Sequence, residues 1–232
     1  MCGRFTMTTA DAALLEQQLG LPMDSIQEAW PDFRPRYNIA PTDPHFVVRL
    51  RGEQWEPLGA TWGLLNPWAR DNKRAGSQIN AKSETLDESR VFKEPFQKRR
   101  CLVPADGFYE WTGPKTSRQP IWYHRPEGGL ILFAGLYDWW KPAKDADWQA
   151  TFTIITTEPN DLIRPIHDRM PVVLAAAAAD QWLDANEKDP EKLKSLLRPA
   201  PDDLLAARYV SSKANSVKND IPEVLEAVTS GF

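Results

Sequence analysis

Histidine and cysteine are scarce in this chain of 232 residues, with three of the first and two of the second. Two cysteines, Cys2 and Cys101, are too few for a disulfide framework, and that frugality suits a reducing cytoplasm. No charged segment followed by an apolar run opens the sequence, so no secretory leader is expected. No apolar run approaches the roughly 20 residues that a spanning helix needs, and no membrane role is expected. Also missing are the Gly-x-x-x-x-Gly-Lys phosphate loop, Gly-x-Gly-x-x-Gly, the Gly-x-Ser-x-Gly elbow, Cys-x-x-Cys and His-Glu-x-x-His, so nucleotide hydrolysis, dinucleotide chemistry and zinc catalysis have no positive support. The charge balance, 28 basic against 32 acidic residues for a net −4, argues against general coating of nucleic acid. Any nucleic-acid site must then be a local patch.

What the chain does have is 42% apolar content, 26% charge and ten tryptophans, the make-up of a folded protein with a sizeable core. One domain over residues 1–232 is predicted, with its core at about 2–219. Apolar residues Ala12, Leu15 and Leu19 recur at helical spacing between a Thr8 or Thr9 cap and Gly20. Trp30 to Pro44 is too rich in proline for a helix and reads as an ordered loop. Val47 to Leu50 and a run ending near Trp62 read as strands, Asn66 to Ser77 as an exposed loop, and Glu84 to Lys98 as mostly helix interrupted at Pro95. Short branched or aromatic runs follow at Cys101 to Val103, Phe108 to Trp111, Ile121 to His124, Leu130 to Tyr137 and Thr151 to Thr156, spaced as in a closed or sandwiched sheet. Helices at Ala175 to Ala185 and Leu193 to Leu197, a strand at Arg208 to Ser211 and a helix at Pro222 to Val228 complete an α+β assignment, a β core with helices outside it.

Candidate chemistry starts at the second residue. Removal of Met1 would leave Cys2 with its α-amine and thiol on adjacent carbons, a 1,2-aminothiol that condenses with an aldehyde and closes to a thiazolidine. The amine's reference pKa of about 7.7–8.0 leaves a usable neutral fraction near pH 7. On the residues alone, the favoured reading of Cys2 is the plain one, a residue that merely follows the start codon. His45 and His124 read as structural and solvated. His167, in a proline-bounded polar loop after a strand, is open between function and a structural hydrogen bond. Glu110 shares a strand face with Phe108, where lost solvation would raise its pKa for proton transfer, or it faces water from an edge. Asn80 either orients a carbonyl or hydroxyl or caps a helix. Trp68 with Arg70, Lys73 and Arg74 combines an aromatic face with cations, as single-strand binders do.

The segments Met1-Cys2-Gly3-Arg4-Phe5, Tyr37-Asn38-Ile39-Ala40-Pro41, Trp62-Gly63-Leu64, Asn80-Ala81-Lys82-Ser83-Glu84-Thr85, Cys101 through Trp111, and His167-Asp168-Arg169-Met170-Pro171, in this order, closely resemble the SRAP family, the SOS-response-associated peptidases or abasic-site processing proteins. The likeness runs from Cys2 to about Asn219. It implies a β-barrel-like core with peripheral helices, and covalent capture of abasic sites in single-stranded DNA with weak lyase activity. By resemblance Cys2 is the nucleophile, Asn80 positions the reacting groups, and Glu110 and His167 move protons. Arg4, Asn38, Trp68, Lys82, Arg90, Thr156 and Arg169 fall where the family grips the strand. Lys82 stands where arginine is usual, which loses a forked donor, and Ala69 cannot supply the second aromatic that some members carry beside the loop tryptophan. The oligomeric state is not readable from the sequence, a monomer being the expectation, and the expected location is the cytoplasm, nucleoid-associated when bound to damaged DNA. The family implies no metal or organic cofactor. Its name adds a proposed peptidase role, at minimum loss of Met1. Two other classes remain: an amino-terminal-nucleophile peptidase or amidohydrolase, and a non-covalent single-strand binding module.

Overall fold

A computed structural model describes residues 2–229 of the chain. Its elements in order are β1 (Phe5–Met7), α1 (Ala12–Leu19), α2 (Met23–Ala29), β2 (Arg36–Ile39), β3 (Pro44–Arg51), β4 (Gln54–Trp62), β5 (Asn80–Lys82), α3 (Lys93–Lys98), β6 (Arg100–Ala105) and β7 (Gly107–Thr112). There follow β8 (Gln119–His124), β9 (Ile131–Trp140), β10 (Gln149–Thr157), β11 (Met170–Pro171), β12 (Val173–Leu174), α4 (Ala176–Leu183), α5 (Pro190–Ser195) and β13 (Ala206–Tyr209). Strands β4, β3, β6, β9 and β10 pair in a ring, closed by the antiparallel β9–β10 ladder and a parallel β10–β4 contact. Closure removes the exposed sheet edges. The α+β class is the one predicted, and of the closed or sandwiched sheet that the short strands left open, the core is the closed form, a mixed five-stranded barrel in a single domain, as the family resemblance implied.

A second sheet, in the order β13-β8-β7-β1-β2, lies against the barrel. Phe5 joins the two: its ring meets His45, Trp62 and Phe133 edge-on at centroid distances of 5.0, 5.0 and 6.2 Å. Burying one phenylalanine contributes roughly 2–3 kcal/mol, so β1, only three residues long, is held by packing more than by its ladder. Two glycines of the motif segments are required sterically. A Cβ on Gly63, whose φ is +126°, would sit 2.5 Å from the Ala75 carbonyl oxygen, and one on Gly107 would meet the Trp122 ring nitrogen at 2.2 Å.

Several boundaries depart from the sequence reading. Helix α1 starts at Ala12, capped by Asp11, whose carboxylate accepts from the Ala13 and Leu14 amides; Thr8 and Thr9 are instead fastened to Asp106. Its end at Gly20, φ +65°, matches the expected stop. The Trp30 to Pro44 loop contains β2, because Arg36–Ile39 finds a partner in β1. Pro95 does not interrupt a long helix: lacking an N–H, it fits only a first turn, and α3 is confined to Lys93–Lys98 around it. Pro190 likewise opens α5 at its first turn, and the last expected helix is a 3-10 turn at Pro222–Leu225. No helix is long and apolar enough to cross a membrane.

Candidate active site

The site forms where the second sheet meets the barrel rim. β1 runs antiparallel to β7 with Phe5 opposite Phe108, and the Tyr109 amide donates to the Arg4 carbonyl at 3.0 Å. That register carries the chain preceding Phe5 alongside Glu110. From the barrel side comes β5, which pairs in parallel with β10, Asn80 opposite Ile154. The Asn80 side-chain amide donates to the Cys2 carbonyl at 2.8 Å. So Asn80 is a strand residue, not a helix cap, and it ties the amino-terminal segment to the barrel. Its Oδ1 is buried and accepts no hydrogen bond among the described residues, which leaves an acceptor beside Cys2.

Cys2 is fully buried. Burial, reinforced by the nearby Glu110 carboxylate, pushes its thiol up to about 12. A thiol so placed is protonated at neutral pH and needs a base before it can attack. Glu110 is 4% exposed, and burial raises its carboxyl from 4.5 to about 7, with the negative charge of Asp168 adding to the rise. Such a group exchanges protons readily near pH 7. The Asp168 interaction also brings the loop bearing His167 to the same side. His167 Nδ1 accepts from the Arg169 amide at 3.0 Å and lies 2.9 Å from Asp168 Oδ1. The amide contact calls for an unprotonated Nδ1 and the Asp168 contact for a protonated one, so the two favour opposite forms of the ring. Burial lowers the His167 pKa, and Asp168 opposes that shift.

The other two histidines play no such part. His45 is completely buried in β3, bonded through Nε2 to the Pro104 carbonyl at 2.8 Å, and burial holds its pKa down at about 3. His124 stacks on Trp122 at 4.2 Å and contacts its neighbour's carbonyl. Among the described residues no group of three or more His, Cys, Asp and Glu side chains is arranged to hold a metal ion.

The SRAP model, "SOS response associated peptidase", matches residues 1–217. The chain belongs to the SRAP family. Abasic site processing protein YoqW of Bacillus subtilis is 39% identical, with 98% of this chain and all of that protein covered. Abasic site processing protein HMCES of Gallus gallus is 30% identical over all of this chain and 79% of that protein. In three dimensions, a crystal structure of a Bacteroides thetaiotaomicron protein shares the fold with a TM-score of 0.85 at 23% identity, over 98% of this chain and 100% of that one.

The SRAP residues expected at the DNA divide by position. Trp68 is 52% exposed, with the Arg90 guanidinium 4.9 Å above its ring, and both line a cleft of about 410 Å³ with Arg70, Arg74 and Gln78. Lys82 is exposed at the end of β5. Arg4 is half-buried, donating to Asn38 Oδ1 at 2.6 Å and the Ala214 carbonyl at 3.1 Å. Asn38 is fully buried, its amide turned to the Ser216 and Asn219 carbonyls at 3.0 and 2.8 Å. Thr156 is also buried, and its carbonyl accepts from Arg169 at 2.6 Å. Arg169 is further engaged by Glu84 through two bonds of 2.6 and 2.9 Å.

Two residues that the sequence reading passed over set the site's geometry. Asp106 accepts from the Thr8 amide and hydroxyl, each at 2.6 Å, and anchors the end of β1. The Asp106-Gly107 pair, a turn signal, marks that position in the sequence. Asp220 accepts from the Tyr37 and Asn38 amides at 2.6 and 3.0 Å and pairs with Arg36. No local signal marks it, since its partners lie more than 180 residues away.

Proposed function

We propose that this protein captures abasic sites in single-stranded DNA covalently, through the amino-terminal aminothiol that Cys2 presents once Met1 is removed. Met1 lies outside the described residues. The observation that carries the reading is the enclosure of Cys2 between an amide that fixes its carbonyl at 2.8 Å and a buried carboxyl with a pKa of about 7. The names of the relatives, abasic site processing proteins, point to the same substrate.

An abasic deoxyribose opens to an aldehyde. The Cys2 amine adds to that carbonyl, and loss of water gives an imine. The thiol then adds to the imine carbon, its proton passing to the nitrogen, and the ring closes as a thiazolidine. Because burial keeps the thiol protonated, closure depends on a base, and Glu110 in its ionised form supplies one; protonated Glu110 and His167 Nε2–H donate during sugar opening and dehydration. Asn80 Oδ1 is positioned to accept from the reacting amine or a sugar hydroxyl. The imine also acidifies the adjacent sugar carbon, so removal of that proton expels the 3′ phosphate in a β-elimination. Weak lyase activity is therefore expected beside capture, and reopening of the thiazolidine by the same proton carriers gives reversal.

Incubating the mature protein with a strand bearing one abasic site and separating the products on a denaturing gel tests the proposal. A heat-stable shifted band that Cys2→Ala abolishes is expected. Cleavage of a peptide without that band would favour the amino-terminal-nucleophile hydrolase, and a shift seen only on native gels would leave a non-covalent binder.

A further inference from the structure

Strand β10 ends between two segments that carry parts of the candidate site. On one side β5, which bears Asn80, pairs with it as far as Lys82 opposite Thr156; on the other, β11 sets Pro171 and Met170 opposite Thr156 and Thr157. Beyond β5 the chain makes a 3-10 turn at Ser83–Thr85, and from that turn the Glu84 side chain meets Arg169 across the end of β10. Arg169 forks onto it, Nη1 donating to Oε1 at 2.6 Å and Nη2 to Oε2 at 2.9 Å, while Nη2 also donates to the Thr156 carbonyl at 2.6 Å. A forked guanidinium–carboxylate pair fixes direction as well as distance. The Arg169 side chain is 14% exposed, so the pair is sheltered on the arginine's side.

The fork anchors the residue whose backbone faces His167. The loop turns at Ile163, whose carbonyl accepts from the Ile166 and His167 amides at 2.8 and 3.0 Å, and ladder pairing resumes at Met170. Asp168 and Arg169 bridge the interval, and each offers His167 Nδ1 a different partner. The Arg169 amide, at 3.0 Å, requires a bare nitrogen; the Asp168 carboxylate, at 2.9 Å, requires a protonated one. The Asp168 side chain is 87% exposed, and a contact with so solvated a carboxylate is weak. An amide whose own side chain is already forked in place has less freedom left to lose. The anchored amide prevails, and a neutral ring that accepts at Nδ1 carries its proton on Nε2.

We propose that Glu84 is a positioning residue for His167: by holding Arg169 across the end of β10 it keeps the Arg169 amide on Nδ1, and so keeps a proton on Nε2 for delivery to the abasic sugar. Its effect on the reaction runs through Arg169. The role in catalysis rests on the capture reaction proposed above, but the state of the ring can be read without any DNA.

Two measurements on the mature protein and its Glu84→Ala and Glu84→Gln variants test this. The chain has three histidines, so proton–nitrogen correlation of the imidazole rings resolves their tautomers, with His167→Ala identifying the signal of interest. At about pH 8, where its lowered pKa leaves His167 neutral, the parent should show the Nε2–H form and Glu84→Ala a mixture of both forms. In capture of a strand bearing one abasic site, Glu84→Ala should lower the rate at saturating DNA about tenfold, part of the roughly 10²–10⁴ that a general acid supplies, with the half-saturating concentration within about twofold of the parent's. Glu84→Gln, which keeps one acceptor, should fall between the two. In a His167→Ala background, Glu84→Ala should slow capture no further. Unchanged ring signals in Glu84→Ala, an altered half-saturation with an unaltered maximal rate, or a full second loss in the His167→Ala background would each overturn the proposal. A parent that never captures an abasic site would refute the covalent reading alone, and the ring signals would still decide what holds His167.

Discussion

Each of two regions buries a cysteine and contains a histidine, and the contrast shows what makes such residues chemically useful. Inside the barrel, Cys101 on β6 and His45 on β3 are both completely buried. Cys101 has its thiol raised by burial alone, and His45 is kept neutral down to about pH 3. Among the described residues neither side chain is bonded to a titratable group, His45 Nε2 meeting the Pro104 carbonyl. At the rim, Cys2 is equally buried, but it sits beside Glu110, whose carboxyl titrates near 7, and its carbonyl is held by Asn80. His167 is partly exposed and carries Asp168 at 2.9 Å. Burial by itself makes both cysteines inert; a second titrating group at the edge of the barrel changes that for one of them.

The contrast breaks most visibly in a pair of cysteine variants. Cys2→Ala should abolish covalent capture on a denaturing gel, whereas Cys101→Ala should leave capture intact and cost about 1 kcal/mol of stability in urea denaturation. Capture that survives Cys2→Ala would place the nucleophile elsewhere. Next in size, Glu110→Gln should slow capture by about 10²–10⁴-fold in a gel time course, the usual range for general acid–base groups, with little change in strand affinity. Equal loss of rate and affinity would instead make Glu110 a binding group.

The two regions should also answer pH with opposite signs. His45 has a folded pKa of about 3 against 6.5 when unfolded. Its contribution is complete above 6.5 and is lost as pH falls toward 3, at up to about 1.4 kcal/mol per pH unit. Glu110 moves the other way, from 4.5 to about 7. Its contribution is complete below 4.5 and disappears as pH rises through 7. Urea denaturation between pH 4 and 8 should show Glu110→Gln losing the neutral-side decline and His45→Gln losing the acid-side decline. Matching profiles for both variants would erase the distinction. The smallest effect should be Asn80→Ala, which removes one hydrogen bond to Cys2: about 1 kcal/mol of stability, and slower capture if placing the amine matters.

How much of this could be read beforehand varied with the range of the interactions. The barrel strands were legible because β-branched and aromatic runs such as Thr151 to Thr156 mark themselves locally. β1 was not: Phe5–Met7 is too short to show any period, and it becomes a strand because β2 and β7 lie on either side of it. Glu84 to Lys98 looked helical by composition, yet Pro95 restricts the helix to its own turn. Strand alternation put Glu110 on the face of Phe108 but left open whether that face met water, and Asn80, open between orienting a carbonyl and capping a helix, became legible only once β5 had paired with β10. Asn38 lay in the recognised motif, but its full burial against the Ser216 and Asn219 carbonyls depends on the distant C-terminal segment.

By itself the sequence determined the class of fold, the two candidate reactive groups at Cys2 and Glu110, and the family, because these rest on residue identity, local periodicity and motif order. The tertiary structure decided which groups meet: a carbonyl at residue 2 bonded to an amide at residue 80, a carboxyl at 110 pushed to about 7, and a carboxylate at 84 forked by a guanidinium at 169. Loss of water around a side chain is a property of the packed assembly, fixed by neighbours that are remote along the chain, and no short stretch of sequence contains it.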